Sequence, residues 1–319
     1  MDPITHTLAG ATMARAGLDR RTPLATAALL LGANAPDIDI FTALGEANAT
    51  LACRRGWTHG PLAMLALPFV VAGLLLAWDR FVRRRRSPSA PPAVGIALLQ
   101  LSALGVFSHP ALDWLNTYGI RLLMPFSDTW FRGDSVFIID PWLWLVLTVG
   151  LLAVRRTRAT SASPWRIART SGSLALAYIA GMVVLSVAGK RSGWKAAESI
   201  GITGISEVLY SPRPATPFKA DLVVRTAEAY HPGSLEWQLS GARVTFTGIV
   251  IPRGDWDASV VRRAREVPAA RNYLVWSQFP YVRLEVNGAD TTVFFGDARY
   301  RAGPAGNLSG MSVTLPRTN

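Results

Sequence analysis

Leu62-Ala63-Met64-Leu65-Ala66-Leu67-Pro68-Phe69-Val70-Val71-Ala72-Gly73-Leu74-Leu75-Leu76-Ala77-Trp78 contains no charged side chain and ends in Asp79-Arg80, followed by Arg83-Arg84-Arg85-Arg86. A helix of this length, with Pro61 suited to its first turn, approaches the ~20 apolar residues that cross a hydrocarbon layer of about 30 Å. The stretch therefore indicates an α-helical integral membrane domain. Beyond the proline-rich linker Ser87-Pro88-Ser89-Ala90-Pro91-Pro92, a second span is expected from Ala93 to about Leu115, a third from about Val136 to Val154, and a fourth from about Ser171 to Ala188.

Composition supports this class. Half of the 319 residues are hydrophobic, 17% are charged and mean hydropathy is +0.24, too apolar for an ordinary soluble enzyme with such long uncharged runs. The net charge of +12 does not point to nucleic acid, because arginines bunch at the ends of apolar runs, at Arg83–Arg86 and Arg155-Arg156-Thr157-Arg158, and no basic stripe falls on a soluble module. By the positive-inside rule both clusters are cytoplasmic. Cys53 stands alone, so no intrachain disulfide is possible.

Upstream, Ile4 to Gly17 and Pro23 to Ala35 are each too short for a standard span, and they read as a helical hairpin packed against longer helices. The start lacks the basic-then-apolar pattern of a secretory signal, and cleavage is not expected. Downstream of Lys190 the character changes to short apolar runs with prolines, glycines and charges. Residues 1–189 are thus expected to form the helical membrane domain and 190–319 a small β-rich soluble domain. Strands are expected at Leu222–Thr226, Arg243–Ile251, Tyr273–Phe279, Tyr281–Val286 and Thr291–Phe295, with Asn287-Gly288 turning the last pair into a hairpin. Arg262 to Val267 reads as a short helix and His231-Pro232-Gly233 as a loop.

The chemistry-bearing residues lie in the hydrophobic half. In Phe107-Ser108-His109-Pro110-Ala111-Leu112-Asp113, an imidazole and a carboxylate four residues apart share one helix face, where both can reach one ion or simply bond each other. Of four histidines, three lie in this half beside acidic residues, and His6, Asp37, Asp39, His59, His109 and Asp113 make a candidate ligand set. Asn34-Ala35-Pro36-Asp37-Ile38-Asp39 reads as a helix end stopped by Pro36, its two carboxylates serving as ligands or as an Asx-turn. With both arginine clusters cytoplasmic, His59 opens the first long span and His109–Asp113 closes the second, so both lie toward the extracytoplasmic side.

Met1-Asp2-Pro3-Ile4-Thr5-His6, Pro36-Asp37-Ile38-Asp39, Arg55-Gly56-Trp57-Thr58-His59 and His109-Pro110-Ala111-Leu112-Asp113, followed by Thr117-Tyr118-Gly119 and Pro125-Phe126-Ser127, together resemble the YdjM-type membrane-bound metal-dependent hydrolases. The resemblance covers about residues 1–150. It implies that His6, Asp37, Asp39, His59, His109 and Asp113 hold a catalytic metal. The family often carries a histidine just before its Arg-Gly pair, and Arg54 occupies that place here.

Imidazole and carboxylate donors without thiolates suit a divalent transition metal, Zn²⁺ first, with Mn²⁺ or Fe²⁺ as alternatives and one or two ions. Such an ion activates water and polarises the scissile group. Asp39 is then a candidate proton acceptor and Arg55 a candidate for stabilising charge on a phosphoryl oxygen, or a basic loop residue meeting lipid headgroups. Trp57, Trp114 and Trp130 are read as interfacial anchors. The expected function is metal-dependent hydrolysis of an ester or phosphoester in a membrane lipid or lipid-linked substrate, at the cytoplasmic (inner) membrane, with the site and the C-terminal domain extracytoplasmic. The alternative is a non-catalytic metal-binding membrane protein with a structural or transport role.

Overall fold

The computed structural model describes residues 1–44, 51–157, 163–300 and 308–316. Arg158, the last residue of the second arginine cluster, lies outside them. The chain divides into two compact units, one of residues 1–39, 55–185 and 214–216, the other of residues 40–54, 186–213 and 217–319.

The first unit is helical. Helix α1 (Pro3–Arg15) starts where Asp2 accepts from the Ile4 and Thr5 amides at 2.9 and 3.0 Å, with Pro3 in the first turn, where no amide hydrogen is needed. Helix α2 (Ala25–Asn34) passes directly into a 3-10 helix, Ala35–Leu44, because Pro36 cannot donate to the continuing α-ladder. Helix α3 opens on Pro61 and continues without a break to Arg86; α4 spans Gly95–Trp114. Helix α5 (Pro141–Thr157) is capped by Asp140, which takes the Trp142 and Leu143 amides at 3.0 Å each. Helix α6 runs unbroken over Pro164–Ser199.

Three helices among the described residues are long and apolar enough to cross a membrane: Pro61–Arg86, Gly95–Trp114 and Pro164–Ser199. The remaining expected span is helical only from Pro141. The Asp140 cap fixes its start, leaving 17 residues and a length of about 25 Å. Val136, which the expected span included, is instead buried in the preceding loop.

Helices α1 to α4 share a core built on Ala14, Ala28, Leu29, Ala72, Leu75, Leu98 and Leu101. Helices α2 and α4 approach closely. A Cβ on Gly32 would lie 2.6 Å from the Ser102 carbonyl oxygen, and one on Gly105 would lie 2.8 Å from the Ala33 nitrogen and the Leu29 oxygen. Two bare backbones thus meet where any side chain would hold them apart. This contact brings the end of α2, and the 3-10 helix after it, against the last turns of α4.

The second unit contains a five-stranded sheet, order β1 (Glu207–Arg213), β2 (Thr216–Arg225), β3 (Ala229–Gln238), β4 (Gly241–Phe246), with β5 (Ile251–Pro252) also pairing β3. A three-stranded sheet follows, β6 (Pro280–Asn287), β7 (Asp290–Asp297) and β8 (Gly310–Pro316). Asn287 pairs with Asp290 across the hairpin expected there, and Gly288 supplies the positive φ of +63°. The expected short helix appears as α7 (Ser259–Glu266).

Three expectations in this unit are corrected. Tyr273–Phe279 is not a strand, since helix α8 covers Pro268–Trp276. Aromatic content imitates a strand there, but Ala270, Tyr273 and Trp276 recur at helical spacing and bury one face, with Pro268 setting the first turn. His231-Pro232-Gly233 is no loop but part of β3, with Val224 opposite His231. Arg243–Ile251 is interrupted between Phe246, where β4 ends, and Ile251, where β5 begins, and Gly248 within that break takes a φ of +72°.

Helix α6 carries on past Lys190 because its final turns are the sheet's own cover. A Cβ on Gly189 would lie 2.5 Å from the Tyr210 ring and one on Gly193 3.1 Å from Leu222 and Val208, while Ala197 joins their buried cluster. Small residues at helical spacing let the helix lie flat on the strands.

In the same unit, Asp297 is buried and takes the Ser277 hydroxyl at 2.8 Å, the Gln278 amide at 2.9 Å and the Arg299 side chain at 2.9 and 3.0 Å. Burial pushes the carboxyl up, but the Arg299 guanidinium and these hydrogen bonds outweigh it and hold Asp297 below the usual carboxylate range. A depressed folded pKa stabilises fully above the unfolded value of about 3.9, and the contribution is lost as pH falls through the folded one. Asp297→Ala is expected to cost roughly 3–5 kcal/mol by stranding Arg299 in the interior. Thermal unfolding of the full chain in detergent should show this cost at pH 7 and a narrowing gap from wild type below about pH 4.

Candidate metal centre

Four of the expected residues converge on one point. Asp37, on the 3-10 helix, His59, in the last turn before α3, and His109 and Asp113, one turn apart on α4, each offer a ligand atom within 4.8 Å of all the others. All four are buried, Asp37 being the most accessible at 8%. His59 Nε2 lies 3.1 Å from His109 Nε2, and each lies 3.5 Å from Asp113 Oδ2; His109 Nε2 lies 3.8 Å from Asp37 Oδ1. Donors held at ~2.0–2.2 Å from one ion sit roughly 3–4.4 Å from each other, so these separations fit a single centre.

The outer nitrogens of the imidazoles set the direction of the inner ones. His109 Nδ1 lies 2.6 Å from the Ala33 carbonyl oxygen, which can only accept, so Nδ1 carries the proton. His59 Nδ1 lies 2.9 Å from Thr58 Oγ1, whose hydroxyl can donate onward to Asp39 Oδ2 at 3.4 Å. With both outer nitrogens donating, two lone-pair Nε2 atoms face each other beside two carboxylates. That arrangement repels unless a proton or cation lies between them. The donor chemistry, mixed imidazole and carboxylate, is that of a divalent metal site.

His6 and Asp39 adjoin the four. The His6 ring stacks on His109, centroids 3.7 Å apart, and its Nε2 lies 3.3 Å from Asp113 Oδ1. Asp39 Oδ2 takes the Arg55 amide at 2.7 Å and lies 3.6 Å from His59 Nδ1, on the edge of that ring opposite Nε2. The Met1 amino group also contacts Asp113 Oδ1.

Arg55 is buried and its guanidinium points inward. Nε lies 3.0 Å from Asp113 Oδ2, Nη1 donates to Asn116 Oδ1 at 3.0 Å and to the Gly119 carbonyl at 3.2 Å, and Nη2 donates to the Met1 carbonyl at 3.2 Å. Tyr118 covers its face, with the Arg55 carbon 4.8 Å from the ring centroid. The backbone reaches this position through a φ of +51°, unusual for arginine, with the carbonyl taking the Arg121 amide at 2.9 Å. A second buried arginine, Arg121, lies over Trp130, which in turn meets Tyr118 edge-on.

Sequence reasoning did not single out Asn116, Arg121 or Thr58. Only Asn116-Thr117-Tyr118-Gly119 carried a local signal, the Asx-type turn in which Asn116 Oδ1 takes the Tyr118 amide at 2.9 Å. Among the anchors expected, Trp57 is 61% exposed, whereas Trp130 is engaged with Arg121.

The profile of the YdjM inner membrane protein family matches residues 1–194, more than half of the chain and all of the ligand-bearing elements. The chain belongs to the YdjM inner membrane protein family. It is also similar to the uncharacterized protein YfhP of Bacillus subtilis (strain 168), 27% identical over 118 residues, which are 37% of this chain and 33% of that protein. The match therefore spans about a third of that relative's length. No solved structure shows significant similarity. This YdjM-family chain carries a buried His/Asp cluster, Asp37, His59, His109 and Asp113, that could hold a metal ion.

Proposed function

We propose that this YdjM-family protein is a metal-dependent hydrolase of the inner membrane that cleaves an ester or phosphoester bond of a lipid or lipid-linked substrate. The observation that carries the reading is the pair of buried imidazole Nε2 atoms 3.1 Å apart, with Asp37 and Asp113 completing a four-residue shell. Zn²⁺ is the preferred ion for this donor set, with Mn²⁺ or Fe²⁺ as alternatives. A divalent ion held there supplies Lewis-acid activation of water and of the scissile group. Asp37, His59, His109 and Asp113 hold it. Asp39, through Thr58 and the Nδ1 edge of His59, orients that ring and is assigned here to positioning in place of proton transfer. Arg55 holds Asp113 and is assigned to the same kind of role in place of contact with a phosphoryl oxygen. His6 backs His109 and Asp113 from a second layer.

A lipid substrate suits ligands carried on the ends of apolar helices, since a lipid diffuses laterally and presents its headgroup at the membrane face. With Arg83–Arg86 and Arg155–Arg156 in the cytoplasm, which requires the 17-residue α5 to cross as a fourth, short span, that face is extracytoplasmic and so is the C-terminal domain. Reporter fusions after Arg86 and Arg158 should read cytoplasmic and a fusion after Lys190 extracytoplasmic; a cytoplasmic signal at Lys190 reverses the side. For the reaction, mass spectrometry of native membrane lipids should show a species consumed by metal-loaded wild type and spared by His59→Ala or by chelator. Identical lipid profiles would sink the hydrolase reading.

One observation favours a second reading. Four protein donors are enough to close a tetrahedral site, and closed sites are structural. A non-catalytic metal-binding protein would then show a cobalt-substituted spectrum insensitive to azide or phosphate, whereas an enzyme must admit a further ligand and shift.

A further inference from the structure

The second unit holds a site that the metal chemistry does not use. Between edge strand β1 and the final turns of α6 lies a groove of about 410 Å³, lined by Lys190, Arg191, Trp194, Lys195, Glu198 and Val208. At 100° per residue, Lys190, Trp194, Glu198, Arg191 and Lys195 fall within about 140° of one helix face, flanking the Gly189–Gly193–Ala197 strip that packs on the sheet. The groove lining is mostly hydrocarbon, and its residues bring three cations against one carboxylate. Trp194 Nε1 donates to that carboxylate, Glu198 Oε1, at 2.8 Å, and the indole is part of the groove lining.

Its place along the helix bears on what could fill it. Helix α6 is 36 residues long, about 54 Å, so it overshoots a ~30 Å hydrocarbon layer. Residues 171–188 of α6 carry no charge, and Lys190 is the first charged residue after them. The groove therefore opens where the helix leaves the apolar layer, at headgroup level, with tryptophan and lysine of the kind that anchor there. A mostly hydrocarbon lining with an excess of cations is complementary to an anionic amphiphile and not to a neutral or zwitterionic one.

We propose that this groove binds the headgroup and upper acyl chain of an anionic phospholipid, clamping α6 and the β-sheet it covers to the membrane surface. The proposal does not rest on the metal site, whose ligands all belong to the other unit.

The test uses the full chain in neutral maltoside micelles, titrated separately with dioctanoyl phosphatidylglycerol, dioctanoyl phosphatidylcholine and inorganic phosphate, with bound species counted by native mass spectrometry. Phosphatidylglycerol should bind at least roughly tenfold more tightly than phosphatidylcholine, and the combined Lys190→Gln, Arg191→Gln and Lys195→Gln variant should lose roughly tenfold or more of that affinity. Glu198→Gln, which keeps every cation and removes the opposing carboxylate, should bind phosphatidylglycerol more tightly than wild type. Metal content should be the same in all three proteins. Equal binding of the two lipids, full retention by the triple variant, or phosphate alone binding as tightly as phosphatidylglycerol would each overturn the proposal.

Discussion

Asp113→Asn is expected to lower metal affinity by roughly 100-fold or more while leaving the protein inserted in the membrane. Asp113 Oδ2 lies within 3.5 Å of both imidazole Nε2 atoms, so neutralising it removes the charge on which the other ligands converge. The amide keeps the volume, which separates loss of the ion from loss of packing. Asp113→Ala should do more, since it also removes the side-chain volume and the acceptor beside Nε of the buried Arg55 guanidinium, at a cost of about 3–5 kcal/mol. His109→Ala should match Asp113→Asn in metal loss. Arg55→Lys is expected to lose ~10–100-fold in metal affinity, because an ammonium cannot reproduce the fork that meets Asp113, Asn116, Gly119 and Met1 together. Elemental analysis of the purified proteins decides the matter: equal metal in wild type, Asp113→Asn and His109→Ala would remove the metal centre itself.

Gly105→Ala is expected to damage the same centre without touching a ligand. The added methyl would lie 2.8 Å from two backbone atoms of α2, and backbone cannot swing aside as a side chain would. The helices must part, and with them go the 2.6 Å contact between His109 Nδ1 and the Ala33 carbonyl and the approach of Asp37 to His109. Overpacking of this kind costs about 1–3 kcal/mol, and a shift of about 1 Å at the ligands should reduce metal retention at least roughly tenfold. Gly73→Ala is the matched control. It lies in α3 with open space around the new methyl, so it should retain full metal and gain up to about 1 kcal/mol from helix propensity. Thermal unfolding and metal content measured on both variants test the pair, and a Gly105→Ala protein that holds metal like Gly73→Ala would show that α2–α4 contact does not build the site.

The sequence by itself determined the class of the protein, because the signals for a membrane helix are local. Leu62–Trp78 needs only its length and lack of charge, and the arginine runs need only their position at its end. The donor types were legible for the same reason, as His109 and Asp113 share a face by helix geometry alone. Tertiary structure decided which donors meet. Asp37 and Asp39 are alternate residues on one 3-10 helix, equivalent in sequence, yet one joins the other three ligand atoms and the other lies behind His59. That choice depends on how far α2 sinks against α4, which Gly32 and Gly105 set across some seventy residues of chain. Arg55 likewise gives no local sign of pointing inward; the groups its guanidinium meets come from two distant segments, Met1 and residues 113–119. Nor does any local signal extend α6 beyond Lys190, since the charges there read as a helix end until the sheet is present to cover Gly189, Gly193 and Ala197. Local pattern selects element type, whereas the direction of a buried polar side chain is a property of everything packed around it.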